Sequence, residues 1–308
     1  MDYNDTQTNE FPLGIIRKRE YPEMLKNMTS PPPKLFVRGK FPAPENQKYL
    51  CVVGSRSWTS YGRDSTRRLI YGLKGYPITI VSGLAVGIDS IAHMAALEAG
   101  LHCVAFPGSS LDWEEIYPQI HLDLAKRIVA SGGALLSPWE PGYPIGNWAF
   151  PARNRLMAGL SHATLIIEAG QKSGSLMTAK YAENFNRDVF AVPGHIHAEQ
   201  SYGTHMLIRR GAALITSPRD ILSELGFRLP RIGRAGACND LYISLPSTIA
   251  EDKISLSILG ILRLEDSNTD DLLEKTNITI PVLCEKLSLL ELEGLIKMDG
   301  STITLVRN

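Results

Sequence analysis

Apolar residues along the middle of the chain gather into short runs, at 49–53, 78–81, 102–106, 134–136, 163–167, 189–192 and 212–215. Between them, apolar residues recur at helical spacing, at 61–73, 88–99, 120–130 and 176–186. A strand in a parallel sheet covered on both faces has no solvent side to mark with polar residues, so it reads as a continuous apolar run followed by an amphipathic crossover. The pattern predicts a doubly wound, mostly parallel α/β sheet over about 46–228.

The flanks read differently. Residues 1–45 give a polar tail, a short helix at 21–28 and the run Pro31-Pro32-Pro33, which cannot continue a helix and favours an extended crossing into Leu35-Phe36-Val37. This lead-in is too small for a core of its own. Residues 229–240, with Pro230, Gly233 and Gly236 and no periodicity, read as a linker. Three helical patterns follow, at 254–264, 269–275 and 280–293, and then two β-type runs around Asp299-Gly300, a strong hairpin signal. Three helices and a terminal hairpin predict a small winged helix-turn-helix domain over 241–308.

Composition narrows the class. The chain has 308 residues, 44% of them apolar, which suits a soluble protein of two domains. No run approaches the length of a membrane span, and the polar, acidic start is unlike a signal peptide, so a cytoplasmic protein is expected. Cys51, Cys103, Cys238 and Cys284 lie far apart, with no CxxC pair for zinc or redox chemistry. The 32 basic residues match the 32 acidic ones, which argues against a polycation. The balance is nevertheless uneven. Residues 46–228 carry 17 basic and 14 acidic side chains, whereas 229–308 carry 8 and 12.

Ligands of a doubly wound sheet bind beyond the carboxyl ends of its strands, so the loops there are read together. They are rich in glycine and hydroxyls: Gly54-Ser55-Arg56, the stretch 82–89 from Ser82-Gly83 through Gly87 to Asp89, Pro107-Gly108-Ser109-Ser110, the stretch 170–175, and Pro193-Gly194. The segment 150–155 opens a helix among them. Amides freed by glycine at helix N-termini, with Arg56, Arg153, Arg155 and Lys172 as countercharge, describe a phosphate-binding crevice. The dinucleotide fingerprint is absent after the first strand, and 170–175 lacks the Gly-Lys-Ser/Thr ending of a triphosphate loop. Neither NAD nor ATP chemistry is expected. His195, His197 and His205 have no carboxylate or cysteine at ligand spacing, so no metal is expected. Asp89 and Glu168 could pair as acid and base, but a helix N-terminal carboxylate capping amides accounts for Asp89 equally well. Trp58, Trp113, Trp148 and Phe150 fall in or near these loops; core packing is the default for each, and base stacking beside the phosphates is the functional alternative.

The motifs VVGSR, SGLAVGIDSIAHMAALEAG, SLDWEEIYP, FPARNRLMAGLS, EAGQKSGSLMTA and VFAVPG, in this order, resemble the DNA-processing protein A family, also called Smf, over about 21–225. The resemblance implies an extended Rossmann-like domain that binds single-stranded DNA, loads the RecA recombinase onto it during natural transformation, and dimerises through that domain, with no cofactor and no catalysis. Carried across residue by residue, it implies a DNA pocket of Ser55, Arg56, Ser82, Gly83, Gly87, Arg153, Asn154, Arg155, Lys172, Ser173, Gly174, Ser175 and Gly194. This chain departs from the family at Ser110, where Gly-x-Gly is frequent, and at His205, where Gly-Thr-Asn is usual. Only some members carry a C-terminal winged helix.

A rival of another class is a nucleoside-monophosphate glycosidase resembling the lysine-decarboxylase-like Rossmann proteins, with Glu168 assisting and Arg155 holding phosphate. Its Pro-Gly-Gly-x-Gly-Thr run is missing, because Pro107-Gly108 continues as Ser109-Ser110. The helix expected at 280–293 carries Glu285, Glu291 and Glu293 against Lys286 alone, so the winged domain is expected to meet a protein rather than duplex DNA.

Overall fold

The computed structural model describes residues 11–41, 46–229, 249, 252–264, 266–276, 278–300 and 302–305. The chain divides into two compact units, 1–229 and 230–308. The linker expected at 229–240 lies, apart from Leu229, outside the described residues, as does Cys238.

Unit one is built on a nine-stranded sheet. In chain order its strands are β1 (Gly14–Arg17), β2 (Lys34–Gly39), β3 (Lys48–Val53), β4 (Ile78–Ser82), β5 (His102–Ala105), β6 (Ala134–Ser137), β7 (Ala163–Ile166), β8 (Asp188–Ala191) and β9 (Ala213–Leu214). Spatially they run β1-β2-β6-β5-β4-β3-β7-β8-β9. The seven from β6 to β9 are parallel, whereas β1 and β2 join antiparallel. The lead-in therefore supplies two strands of the sheet. Phe36 of β2 pairs with Ser137 and Val37 with Leu136, so 35–37 is a ladder and more than a crossing.

Helices cover both faces: α1 (Glu23–Lys26), α2 (Ser60–Tyr71), α3 (Ile88–Glu98), α4 (Leu122–Ala130), α5 (Ala149–Leu160), α6 (Ser175–Asn184), α7 (Tyr202–Arg209) and α8 (Pro218–Glu224). Alternation along β3 shows why its run is wholly apolar. Leu50 and Val52 pack with α2, α3, α4 and α8 in one core, while Tyr49, Cys51 and Val53 pack with α1, α5, α6 and α7 in the other. Chain order reverses between β3 and β7, which are neighbours although β4, β5 and β6 intervene in sequence. That reversal is the topological switch point, where the loops leaving adjacent strands diverge and open a crevice.

Unit two contains α9 (Lys253–Leu264), α10 (Thr269–Thr276) and α11 (Ile280–Leu292), with an antiparallel sheet of β10 (Ser267–Asn268), β11 (Ile296–Asp299) and β12 (Thr302–Leu305) in the order β10-β12-β11. It has its own core, including Ile258, Leu262, Leu272, Leu283 and Leu287. The β11–β12 hairpin turns at Gly300, whose φ of 63° suits glycine. No helix among the described residues is long and apolar enough to cross a membrane.

Candidate nucleic-acid interface

A cleft of about 770 Å³ lies at the switch point, lined by the loop after β3 (Gly54 to Ser57), the start of α5 (Phe150 to Asn154), the loop after β7 into α6 (Gly170 to Ser175) and the pair Glu199 and Gln200. Its size is within the range of small-molecule and nucleotide sites.

Close loop approach creates the cleft. Gly87 has φ of 100°, and a Cβ there would overlap the Ser55 carbonyl and stand 2.8 Å from Arg56 Cα. Only glycine lets the start of α3 touch the first loop, and the Ile88 amide then donates to the Ser55 carbonyl at 3.3 Å. Ser55, itself buried, forms a hydroxyl turn in which its Oγ accepts from the Ser57 amide at 3.1 Å and donates to the Ser57 carbonyl at 3.0 Å. Arg56 thereby projects outward and lays its guanidinium over the Phe150 ring, 5.1 Å from the centroid. Gly108 makes room beneath that ring, since a Cβ would stand 2.6 Å from it, and Tyr117 packs on it at 5.7 Å.

Across the switch point, Ser173 Oγ and Ser175 Oγ share a 2.7 Å hydrogen bond at the start of α6. The exposed Lys172 makes no ion pair among the described residues, and the amides of Lys172 and Gly174 have no hydrogen-bond partner there. An exposed ammonium beside unpaired amides at a helix N-terminus is an arrangement that attracts phosphate oxygens.

The four expected cations divide. Arg56 and Lys172 present their charge to the cleft, but Arg153 is 4% exposed and serves the wall. Its Nη1 donates to the Gly83 and Phe106 carbonyls, and its Nη2 lies 3.7 Å from Asp89 Oδ2. Asp89 also accepts the Gly83 amide at 3.1 Å. Burial pushes the Asp89 carboxyl up, while Arg153 and the amide oppose it; burial likewise lowers the Arg153 guanidinium, opposed by Asp89. Asp89 thus holds the preceding loop rather than capping its own helix. Arg155 does not line the cleft: both Nη atoms donate to the Ser30 carbonyl, at 3.1 and 3.2 Å, and its guanidinium covers Phe185.

Of the other expected residues, Asn154, Ser55, Ser173, Gly174 and Ser175 line the cleft, and Gly83 forms a small adjoining niche with Arg56, Val86 and Tyr117. Ser82 is fully buried and donates to the Val52 carbonyl at 2.7 Å, a tie between strands. Gly194 lies outside the lining, where Ser201 packs so closely that a Cβ would overlap it. Among the aromatics only Phe150 lines the cleft. Trp113 sits under Arg38 and Lys126, Trp58 beside Arg63, and Trp148 against Trp139 and Tyr143.

Glu168 is buried and accepts the Thr59 amide at 3.0 Å and the Thr59 hydroxyl. Thr59 Oγ1 in turn accepts the Gly62 amide and caps α2. The carboxylate is committed to joining the β3 and β7 loops, and with Arg155 turned to Ser30 the two groups a glycosidase would need are both engaged elsewhere. No cluster of three metal-ligating side chains occurs among the described residues. Glu199 and Gln200 were not foreseen. They end the loop that Pro193-Gly194 opens after β8, and the chain's return to Ala169, whose amide donates to the Gln200 carbonyl at 2.7 Å, brings them to the cleft while Gly194 stays outside its lining.

A doubly wound sheet with glycine-shaped loops and a switch-point cleft that exposes Arg56 and Lys172 defines a Rossmann-like α/β protein. The family model for DNA recombination-mediator protein A matches residues 13–226, and the chain belongs to that family. Protein Smf of Escherichia coli is 42% identical over 209 residues, 68% of this chain and 55% of that protein. The chain spans about half the length of the first curated relatives it matches. The X-ray structure of DNA processing protein A from Streptococcus pneumoniae superposes with a TM-score of 0.64 at 38% identity, over 71% of this chain and 76% of that one. The same protein from Helicobacter pylori, described for its single-stranded DNA binding mode, gives 0.62 at 28% identity, over 70% and 96%.

Proposed function

We propose that the cleft binds single-stranded DNA, with Arg56, Lys172 and the amides at the start of α6 holding consecutive phosphates and Phe150 offering a face to a base. The observation that carries this reading is the joint exposure of Arg56 on Phe150 and of Lys172 beside unpaired amides, on opposite sides of one switch-point cleft. Cation and ring together suit a strand whose bases are free to stack, which duplex DNA does not offer. The Helicobacter pylori relative, described for single-stranded DNA binding, supports the choice of ligand. No bond is made or broken. The family's description as a recombination mediator supports a role in passing the bound strand to a RecA-type recombinase, which we place in DNA uptake, and the homodimer that the sequence resemblance implies is part of the same proposal. Phosphate contacts fix the strand without reading it, so affinity falls steeply as salt rises and exceeds that for duplex of equal length. A salt titration comparing single-stranded with duplex DNA tests this; equal affinity for the two, or indifference to salt, overturns it.

Unit two has the element set of a winged helix, and we read it as a protein-contact module. On α11 the exposed Glu285 and Glu291 face solvent, while Lys286 is held by Asp252 at 3.1 Å and Glu285 at 3.3 Å. The helix that would enter a major groove therefore offers it no uncommitted cation.

A further inference from the structure

The cleft contains two carboxylates, and a phosphate site should contain neither unless each has a purpose. Asp89 is committed to Arg153 and the Gly83 amide. Glu199 is exposed and makes no side-chain hydrogen bond or ion pair among the described residues, yet it lines the cleft with Lys172 and Gln200. Its backbone is firmly held. The Ser201 amide donates to Ala198 at 3.0 Å, and the Ala169 amide to Gln200 and the Gly203 amide to Ala169 both at 2.7 Å, so the turn 199–201 is bonded to the end of β7. Strand order puts this turn on the β8 side, across the switch point from Arg56 and Phe150.

Resting on the single-stranded DNA reading, we propose that Glu199 is a specificity-determining residue that reads the edge of one base. An ionised carboxylate only accepts hydrogen bonds, and it repels phosphate, so the group it welcomes at that wall is a base edge rich in N–H. Unpaired bases expose their Watson–Crick edges to such contacts. Cytosine offers its N4 amino group and guanine two adjacent donors, N1–H and N2–H, matched to the two carboxylate oxygens. Thymine offers one N–H between two carbonyl oxygens, each of which faces the carboxylate unfavourably. The cleft then combines phosphate contacts that are blind to sequence with one contact that discriminates against thymine. Gln200 lies beside it but can donate or accept, so it adds little discrimination.

The test measures affinities of the full chain for dC and dT oligonucleotides of equal length, with an abasic strand as control. The wild type is expected to prefer dC about tenfold, the worth of one hydrogen bond to a charged group. Glu199→Gln, whose amide can rotate to serve thymine, is expected to bring the two affinities together while leaving the abasic strand nearly unchanged. Glu199 is exposed, so neither this variant nor Glu199→Ala threatens folding. A wild type that binds both strands equally overturns the base-reading role and leaves the single-strand reading intact. So does a variant that gains affinity equally for dC, dT and abasic DNA, because Glu199 then acts only by repelling phosphate. A wild type that binds no single strand removes both.

Discussion

Arg56 and Arg153 carry the same charge in the same cluster of loops, yet burial assigns them opposite duties. Arg56 is exposed on Phe150, so Arg56→Ala should weaken single-stranded DNA binding by about tenfold and lower the salt slope by about one, with unfolding unchanged. Arg153 neutralises Asp89 in the wall, so Arg153→Ala strands a buried carboxylate and should cost about 3–5 kcal/mol in urea unfolding, whatever it does to binding. Residue types at strand ends located the cleft, but sequence could not sort these cations. That sorting depends on the Gly83 and Phe106 carbonyls, which reach Arg153 only once β4 and β5 are side by side. His93, fully buried in α3 beneath the same loop, adds a pH dependence, because burial pushes it from 6.5 down to about 3. Between those values the unfolded chain binds a proton that the folded one refuses, so stability is complete above about pH 6.5 and falls as the solution is acidified. From about pH 7 to pH 5 the loss from this group is roughly 2 kcal/mol. Chemical unfolding at the two pH values should show that difference shrink in His93→Gln.

At the scale of elements, one carboxylate holds the switch point closed from below. Glu168 leaves β7 and receives two hydrogen bonds from Thr59, which caps α2. Gly62 permits the approach, for a Cβ there would overlap the carboxylate. Glu168→Ala should therefore cost about 2–3 kcal/mol, Thr59→Ala about 1–2, and the double variant less than their sum, since both remove the same contact. Thermal unfolding of the three variants checks this, and additive losses would refute the coupling. The parallel strands were legible because burial on both faces leaves them no regular polar alternation, and β3 to β9 fall where the apolar runs do. The pair β1 and β2 was not legible as part of the sheet. Gly14–Arg17 is four residues long, with Ile15 on the solvent side at the sheet's edge, and it pairs with β2; β2 follows Pro-rich chain and is itself placed by its ladder to Leu135 and Leu136 of β6, a hundred residues away. Separation in sequence also hid Glu199, whose neighbour Gln200 is held at the cleft by the Ala169 amide.

For the whole molecule, the neutral charge sum is the property most easily misread. It hides a mildly basic unit whose accessible cleft cations, Arg56 and Lys172, share one cavity, and an acidic unit that cancels them in the total. Screening confines the effect of exposed charges to about 8 Å at physiological salt, so a phosphate in the cleft responds to Arg56 and Lys172 and not to the net charge of the chain. Each unit also has a separate hydrophobic core, so unit one should fold without unit two. It follows that a fragment ending at Leu229 should bind single-stranded DNA with the same salt slope as the full chain, although its pI is higher, and with an affinity within about threefold. The slope is the decisive quantity, because it counts phosphates neutralised at the site rather than charge carried elsewhere. A slope that steepens by more than one on removing 230–308 would mean that phosphates are bound outside the cleft.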